Sequence, residues 1–131
     1  VPVVSAVCVV HQLIPDPGGA DGVTAIDKRA TSEPVKVGPY GLRGDVQVSR
    51  KHHGGLEKAV YLYGQVDADF WEAQLGRELH PGWFGENLRV DGLDVNAARV
   101  VRTGVVRAGD PITVLSVPDS GPTIADAFRP E

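Results

Sequence analysis

The 131-residue sequence contains no methionine and a single cysteine, Cys8, so it lacks the residues for an internal disulfide or for a metal site built from several cysteines. A lone unpaired cysteine fits a reducing compartment, and we expect the protein to be cytoplasmic. No apolar run approaches the roughly 18 to 20 residues that a membrane-spanning helix needs. The absent initiator methionine predicts that Val1 does not correspond to the first codon and that the chain is incomplete.

Aromatic residues are scarce, at 6%, and neither charge sign dominates, since 13 basic side chains face 17 acidic ones for a net charge of −4. This balance argues against nonspecific binding to nucleic acid or to an anionic membrane. The bases are unevenly placed, because seven of them fall between residues 28 and 58 against three acids, a local net charge of +4. Such a region suits a small anionic ligand, and a charge-mixed surface is the equally weighted alternative.

With 42% apolar and 23% charged residues, the chain has the composition of one globular domain over residues 1–131. Val, Ile and Thr make up 30 of the 131 residues, a share that favours strands. Many short strands between Gly and Pro turns, with no βαβ rhythm, predict a mainly β fold built as a closed or partly closed barrel. The expected strands are 3–11, 34–37, 45–49, 59–63, 87–90, 100–102 and 112–117, with a loop over 15–22.

One helix is expected to interrupt the strands, capped by Asp67 and ended by Gly76. A second short helix is expected after Thr123, where apolar residues recur at helical spacing. The residues that would form the apolar stripe of the first helix are Phe70, Trp71 and Leu75.

The segment Lys51-His52-His53-Gly54-Gly55 is the most unusual local sequence. Adjacent side chains on an extended backbone point to opposite faces, so the two histidines are poorly placed to share one metal ion. The two glycines allow positive φ, so backbone amides beyond His53 could form an anion-binding turn. A plain surface turn is the alternative interpretation.

Two further segments carry polar groups that a site could use. Asp45 follows a run of turn glycines and is interpreted as a carboxylate that either holds a turn or orients a neighbouring base. Residues 82–88, GWFGENL, place two aromatics beside an acid and an amide, which would suit a planar ligand if exposed and a core if buried. The elbow motif of a Ser-His-Asp hydrolase, G-x-S-x-G, is absent.

Five short stretches follow one another across residues 1–96: TAIDKR at 24–29, GLRGD at 41–45, HGG at 53–55 with KAVY at 58–61, WE at 71–72, and GWFGENL at 82–88. Each stretch is weak alone. The ordered set resembles the MOSC domain family, named after the C-terminal part of molybdenum cofactor sulfurase, and within it the small stand-alone bacterial members.

The resemblance implies a β-barrel that binds the molybdenum cofactor, a pyranopterin dithiolene with a terminal phosphate, and that reduces N-hydroxylated compounds. A sulfur-carrier domain that transfers a persulfide is an alternative within the family, which also has a weak association with pyridoxal phosphate. The implied partners are a small N-hydroxylated substrate and, for electron delivery, a redox protein. Neither nucleic acid nor membrane is expected to bind.

Carried over residue by residue, the resemblance places three cations near the anionic groups of the cofactor and a His-Gly-Gly turn along its pocket. Asn87 is expected as a polar contact to the pterin or as a brace of the barrel, and Asp45 joins the cofactor-binding set. No catalytic residue and no metal ligand is assigned. The cations are Lys28, Arg29 and Arg50, and the turn is His53, Gly54 and Gly55.

The sequence departs from the family where a cysteine is expected, because none follows Cys8. The chain passes almost directly from residues 92–96 into 104–110, which resemble the closing strand of the family, so a segment is expected to be missing near residues 96–99. An omitted segment of a longer chain is favoured over a true deletion, because losing several strands would break barrel closure. With a true deletion, a non-enzymatic barrel that binds a small anion or a partner protein becomes the alternative.

Overall fold

The computed structural model describes residues 1–19, 21–45, 56, 59–93, 97–98, 100 and 102–115. Strands and a single helix make up its regular structure, which confirms the prediction of a mainly β fold. The strands are β1 (Val3–Val10), β2 (Ile14–Pro15), β3 (Val23–Thr24), β4 (Lys28–Thr31), β5 (Val35–Gly38), β6 (Gly41–Leu42), β7 (Val60–Gly64), β8 (Leu88–Asp91), β9 (Ala97–Ala98) and β10 (Gly104–Val106), and the helix is α1 (Gln65–Leu75).

The largest sheet has the strand order β4-β1-β8-β7-β9. β1 lies between β4 and β8 and is antiparallel to both. Its sequence VVSAVCVV is apolar on both alternating faces, which suits a strand covered on both sides. Val4, Val7 and Cys8 are buried accordingly, so β1 forms the middle of the fold and positions its neighbours.

β7 and β8 are parallel, and α1 connects them. Parallel neighbours cannot be joined by a tight turn, so the chain must cross over, and here it does so through a helix. The expectation that no βαβ unit is present was therefore wrong. Strand direction is set by pairing between distant segments, and local composition does not contain it.

Two smaller sheets complete the described strands. β5 pairs with both β6 and β10, and β2 pairs with β3 at the base of the predicted 15–22 loop. A bridge between Val3 and Pro111 links β1 to the chain after β10. Over the described residues these sheets do not close into a barrel. In the same part of the chain, no helix is long and apolar enough to cross a membrane.

The core lies where the large sheet meets the β5–β6–β10 sheet. Its buried members come from β1, β5, β6 and β7 and from Ala59 directly before β7, and partly buried residues such as Leu88 and Val106 pack against them. Burial of an aliphatic side chain of this kind contributes about 1.5 to 3 kcal/mol. The buried residues are Val4, Val7, Val35, Leu42, Ala59 and Val60.

The helix differs from its prediction at both its start and its buried face. It begins directly after β7 with Gly64 as N-cap, while Asp67 lies in its first turn. Gly76 ends it in the left-handed conformation, as expected. Its one buried residue is Ala68, and the predicted apolar stripe is exposed. α1 contacts β7 and β8, with Ala68 buried and the aromatic residues exposed.

Several predicted strands are displaced by one residue, and two are wrong in the described chain. Val100 and Arg102 lie outside any strand, between β9 and β10. Beyond the bridge at Pro111, Ile112 to Leu115 are irregular. Of the predicted strand 45–49, only Asp45 is among the described residues. Of the junction near residues 96–99, only residues 97–98 are described, and the helix predicted after Thr123 lies wholly outside the described residues.

Candidate functional site

Asp45 is the centre of a polar cluster at the start of β4. Its Oδ2 accepts hydrogen bonds from Lys28 Nζ at 2.6 Å and from Asn87 Nδ2 at 2.7 Å. Its Oδ1 accepts a third from the Val10 backbone N–H at 2.9 Å. The Lys28 and Asp45 side chains are only 10% and 6% exposed, so solvent screens this ion pair weakly. Three donors occupy both oxygens of this carboxylate and leave it little capacity to bind a further cation.

Strand alternation separates the two adjacent cations of β4. Lys28 is opposite Val10 in the β1 ladder and turns inward, whereas Arg29 is opposite Val9 and turns outward. Arg29 Nε lies 2.9 Å from Asp27 Oδ1, with its own side chain 53% exposed. This hydrogen bond is the main reason that the pKa of Asp27 lies below its ordinary value. Arg29 therefore does not join Lys28 at Asp45.

Asn87 ties three parts of the chain together. Its Nδ2 donates to Asp45 and, at 3.4 Å, to the Cys8 carbonyl, while its Oδ1 accepts from the Tyr61 N–H at 3.0 Å. Its backbone N–H donates to the Tyr61 carbonyl, and its carbonyl accepts from the Cys8 N–H. An amide is suited to this position because it offers both donors and an acceptor. In this structure Asn87 acts as a brace between β1, β7 and Asp45.

An open cavity of about 400 Å³ is lined by Asp45 and by the β5–β6 hairpin. Lys36 and Arg43 bring two cations to its wall, and the Arg43 N–H donates to the Lys36 carbonyl at 2.8 Å, which fixes their spacing across the hairpin. Neither forms an ion pair with another described residue. The lining residues are Lys36, Val37, Gly38, Pro39, Tyr40, Gly41, Leu42, Arg43, Asp45 and Thr103.

Local sequence explains why this wall is made of a hairpin. Gly38 and Gly41 pair where β5 ends and β6 begins, and Gly41 has a backbone φ of +120°, which residues with a side chain rarely adopt. Gly44, with φ of +89°, then turns the chain so that Asp45 reaches the cavity. The turn role predicted for these glycines is therefore confirmed.

A second buried network supports the segment after α1. Glu86 and Arg89 are both almost fully buried and form an ion pair at 2.7 Å. Arg89 also donates to the carbonyls of Leu79 and His80, and Glu86 accepts from the Phe84 N–H. This pair was not among the predicted site residues, although its i, i+3 spacing beside two aromatic residues was a weak signal. The network holds the loop in place and contains no free charge for a ligand.

Cys8 is fully buried in β1, which confirms its expected place in the core. Burial, with a smaller contribution from the Glu86 carboxylate, raises the pKa of its thiol to about 12. A thiol of this kind stays protonated at neutral pH and is a poor nucleophile and a poor metal ligand. Within the described residues, no three His, Cys, Asp or Glu side chains are grouped to hold a metal ion.

The structure thus places the predicted site residues in three groups. Lys28, Asp45 and Asn87 are in contact, and Arg29 is turned away from them. Arg50, His53, Gly54 and Gly55 lie outside the described residues. Lys36 and Arg43 were not among the predicted site residues, although both belong to the basic region at residues 28–58. Their signal was the glycine-rich turn between them.

Comparison with known proteins gives the following similarities. A family model described as MOSC domain matches residues 49–98. Uncharacterized protein YflK of Bacillus subtilis is 41% identical over 70 residues, which are 53% of this chain and 32% of YflK. Protein YiiM of Escherichia coli is 30% identical over 101 residues, which are 74% of this chain and 44% of YiiM. The chain therefore spans less than half the length of these curated relatives.

The fold has a solved counterpart. The crystal structure of YiiM from Geobacillus stearothermophilus superimposes with a TM-score of 0.71, covering 97% of this chain and 82% of that one, at 19% identity. At this identity the likeness establishes a shared fold.

Proposed function

Because this chain belongs to the MOSC domain family, which is associated with molybdenum cofactor binding, we propose that it binds this cofactor through the cavity beside the β5–β6 hairpin. The cofactor carries a phosphate, and a phosphate binds best where cations and N–H donors are available together.

One observation carries the proposal: Lys36 and Arg43 line the same cavity, and its one described carboxylate, Asp45, is already neutralised by Lys28. The wall therefore presents two cations without a competing free anion among its lining residues. Arg43 can bind a phosphate through two parallel N–H donors, and Lys36 adds a point charge. Arg50 and His53, which the family resemblance adds to the site, follow Asp45 by five and eight residues in the sequence.

The residues fit the anionic part of the cofactor better than its metal. The chain contains one thiol, and it is buried and held protonated. When bound, the cofactor would supply the two-electron chemistry for reducing an N-hydroxylated compound. This chain's own residues bind and orient its charged groups, and the family's soft thiolate ligand would need a cysteine from the segment that we expect near residues 96–99.

The buried thiol also distinguishes between the two alternative functions, a persulfide carrier and a non-enzymatic anion-binding module. A persulfide carrier needs an accessible, ionisable cysteine, which Cys8 is not. A module that binds a small phosphorylated anion without catalysis needs only the two cavity cations. If the sequence is uninterrupted at residues 96–99, this second function is the one that the described residues support.

The test is cofactor retention by a Lys36→Gln/Arg43→Gln double variant expressed in a host that makes the cofactor. We expect the wild-type chain to retain molybdenum and pterin, measured by elemental analysis and pterin fluorescence, and the double variant to retain at least about tenfold less. Titration with pyrophosphate tests the two cations separately from the metal, and the double variant should bind it correspondingly less tightly.

The matched control is Arg102→Gln/Arg107→Gln, which removes the same charge from two exposed arginines that do not line the cavity. It should retain cofactor like the wild type. Equal loss in both double variants would mean that net charge, and not this cavity, governs binding. A wild-type protein that binds neither pterin nor pyrophosphate would overturn the proposal.

A further inference from the structure

The Lys28–Asp45 ion pair borders the candidate cavity, and only its carboxylate belongs to the cavity wall. Asp45 is a lining residue and Lys28 is not, although Lys28 Nζ lies 2.6 Å from Asp45 Oδ2. The two side chains are almost buried, so little solvent screens their charges. An anion in the cavity therefore meets the Lys28 cation together with a carboxylate that cancels most of its field.

Further hydrogen bonds hold the Asp45 carboxylate in this position. Its Oδ1 accepts from the Val10 N–H at 2.9 Å, and its Oδ2 accepts from Asn87 Nδ2 at 2.7 Å. Asn87 is in turn held by the Tyr61 N–H, which donates to the Asn87 Oδ1 at 3.0 Å. Rotation of the carboxylate away from Lys28 would break several of these hydrogen bonds at once, so the pair is a fixed part of the cavity border.

Stability alone does not call for such a pair. Removing two charges from water costs free energy that offsets much of their attraction, and apolar residues of similar volume often serve a core equally well. The position of the pair offers a reason that stability does not, because the pair determines how much positive charge an anion encounters in the cavity.

We propose that Asp45 sets the anion selectivity of this cavity by neutralising Lys28, an inference that rests on the proposed function. The effective cations of the described wall are then Lys36 and Arg43 alone. Two cations match a single phosphate group, which carries about −1.5 to −2 charge at neutral pH. A third would favour pyrophosphate, which carries more negative charge, because Coulomb attraction grows with the product of the charges. Asp45 is thus a positioning residue that keeps the site suited to a phosphate monoester.

The test is calorimetric titration of the full 131-residue chain and its variants with orthophosphate and with pyrophosphate. Asp45→Asn removes the carboxylate and leaves the Lys28 cation beside the cavity. We expect this variant to bind pyrophosphate at least about fivefold more tightly than the wild type, with a smaller gain for orthophosphate. A substitution that only damages the structure would weaken binding, so the sign of the change separates a charge effect from a structural one.

Lys28→Met is the opposite change, because it leaves the Asp45 carboxylate at the wall without its cation. Pyrophosphate should then bind at least about tenfold less tightly. The double variant Lys28→Met/Asp45→Asn removes both charges and should return to within about threefold of the wild-type affinity. Circular dichroism establishes that each variant is folded.

Asp27→Asn is the matched control. Asp27 also pairs with a cation of β4, Arg29, but neither residue lines the cavity, so both affinities should equal those of the wild type. An equal gain in Asp27→Asn and Asp45→Asn would assign the effect to net charge and overturn the proposal.

A folded Asp45→Asn that binds pyrophosphate no more tightly than the wild type also overturns it. If Asp45→Asn does not fold, the Lys28 variants decide: recovery of affinity from Lys28→Met to the double variant supports the proposal, and continued loss overturns it. These outcomes leave phosphate binding by Lys36 and Arg43 intact. A wild-type chain that binds neither anion is a different result, because it refutes the proposed function itself.

Discussion

Cys8 and Asp45 show how surroundings set the chemistry of single residues. Cys8 is enclosed by β4 and β8, with its backbone N–H held by the Asn87 carbonyl, so its thiol meets neither solvent nor a base. Asp45 lines an open cavity and accepts three hydrogen bonds, one of them from the Lys28 ammonium group. Burial alone favours the neutral form of an acid, and donors around it favour the charged form.

The raised pKa of Cys8 predicts a specific loss of stability in alkaline solution. From about pH 9, where an unfolded thiol ionises, to about pH 12, the folded state holds a proton that the unfolded state releases, so the free energy of unfolding falls as pH rises. We expect the wild type to lose about 1 kcal/mol relative to Cys8→Ala between pH 8 and pH 10. Urea unfolding of both proteins measures this difference. Both proteins contain the same tyrosines, so tyrosine ionisation changes both stabilities equally. If the unfolding free energies of the two proteins fall in parallel with pH, burial does not raise the pKa of Cys8.

At the scale of elements, the loop after α1 positions the candidate site. Residues 79–86 are held by the buried Glu86–Arg89 ion pair and by the stacking of the Phe84 ring on the Tyr63 ring. Gly82 brings the loop against the backbone of β4, and a Cβ at this position would collide with the Lys28 carbonyl. The placement of Lys28 beside Asp45 therefore depends on a loop more than 50 residues away in the sequence.

Gly82→Ala should consequently disturb both the fold and the site. Its φ of +93° disfavours a side chain, and the new Cβ also forces β4 to move, so we expect a loss of about 3 kcal/mol or more in the free energy of unfolding. Weaker pyrophosphate binding should accompany it. Gly18→Ala, where a Cβ meets open space and φ is not positive, is the control and should change stability little. If Gly82→Ala and Gly18→Ala lower the thermal stability equally, the close approach of Gly82 to the Lys28 carbonyl does not limit the side chain at position 82.

For the whole molecule, the balance of charge separates small anions from large ones. Of the described cations in the basic region, Lys28 and Arg29 are paired with aspartates, which leaves Lys36 and Arg43 at the cavity. The rest of the chain is acidic, and the net charge is −4. Two adjacent cations can hold one phosphate, but an extended polyanion would also meet the surrounding acids.

This charge distribution predicts that the protein binds a small anion, pyrophosphate, but not a long polyanion, heparin. At pH 7 and about 0.1 M salt, the protein should pass through a heparin column unretained and still bind pyrophosphate, with an affinity that falls as salt is raised. Retention on heparin that Lys36→Gln/Arg43→Gln abolishes would show that the cavity belongs to a larger basic surface. The Arg102→Gln/Arg107→Gln variant again serves as the charge-matched control.

Sequence alone determined the features that depend on local chemistry. The valine-rich stretch predicted as a strand over 3–11 forms β1 (Val3–Val10), Gly76 ends the helix as predicted, and the ordered motifs pointed to the MOSC domain, whose family model matches residues 49–98. Only the tertiary structure decided which residues meet. The β1–β4 register turned Lys28 toward Asp45 and Arg29 away from it. Pairing also made β7 and β8 parallel, and the packing of α1 left the Phe70 side chain exposed. These outcomes depend on contacts between residues far apart in sequence, whose energies no local pattern contains.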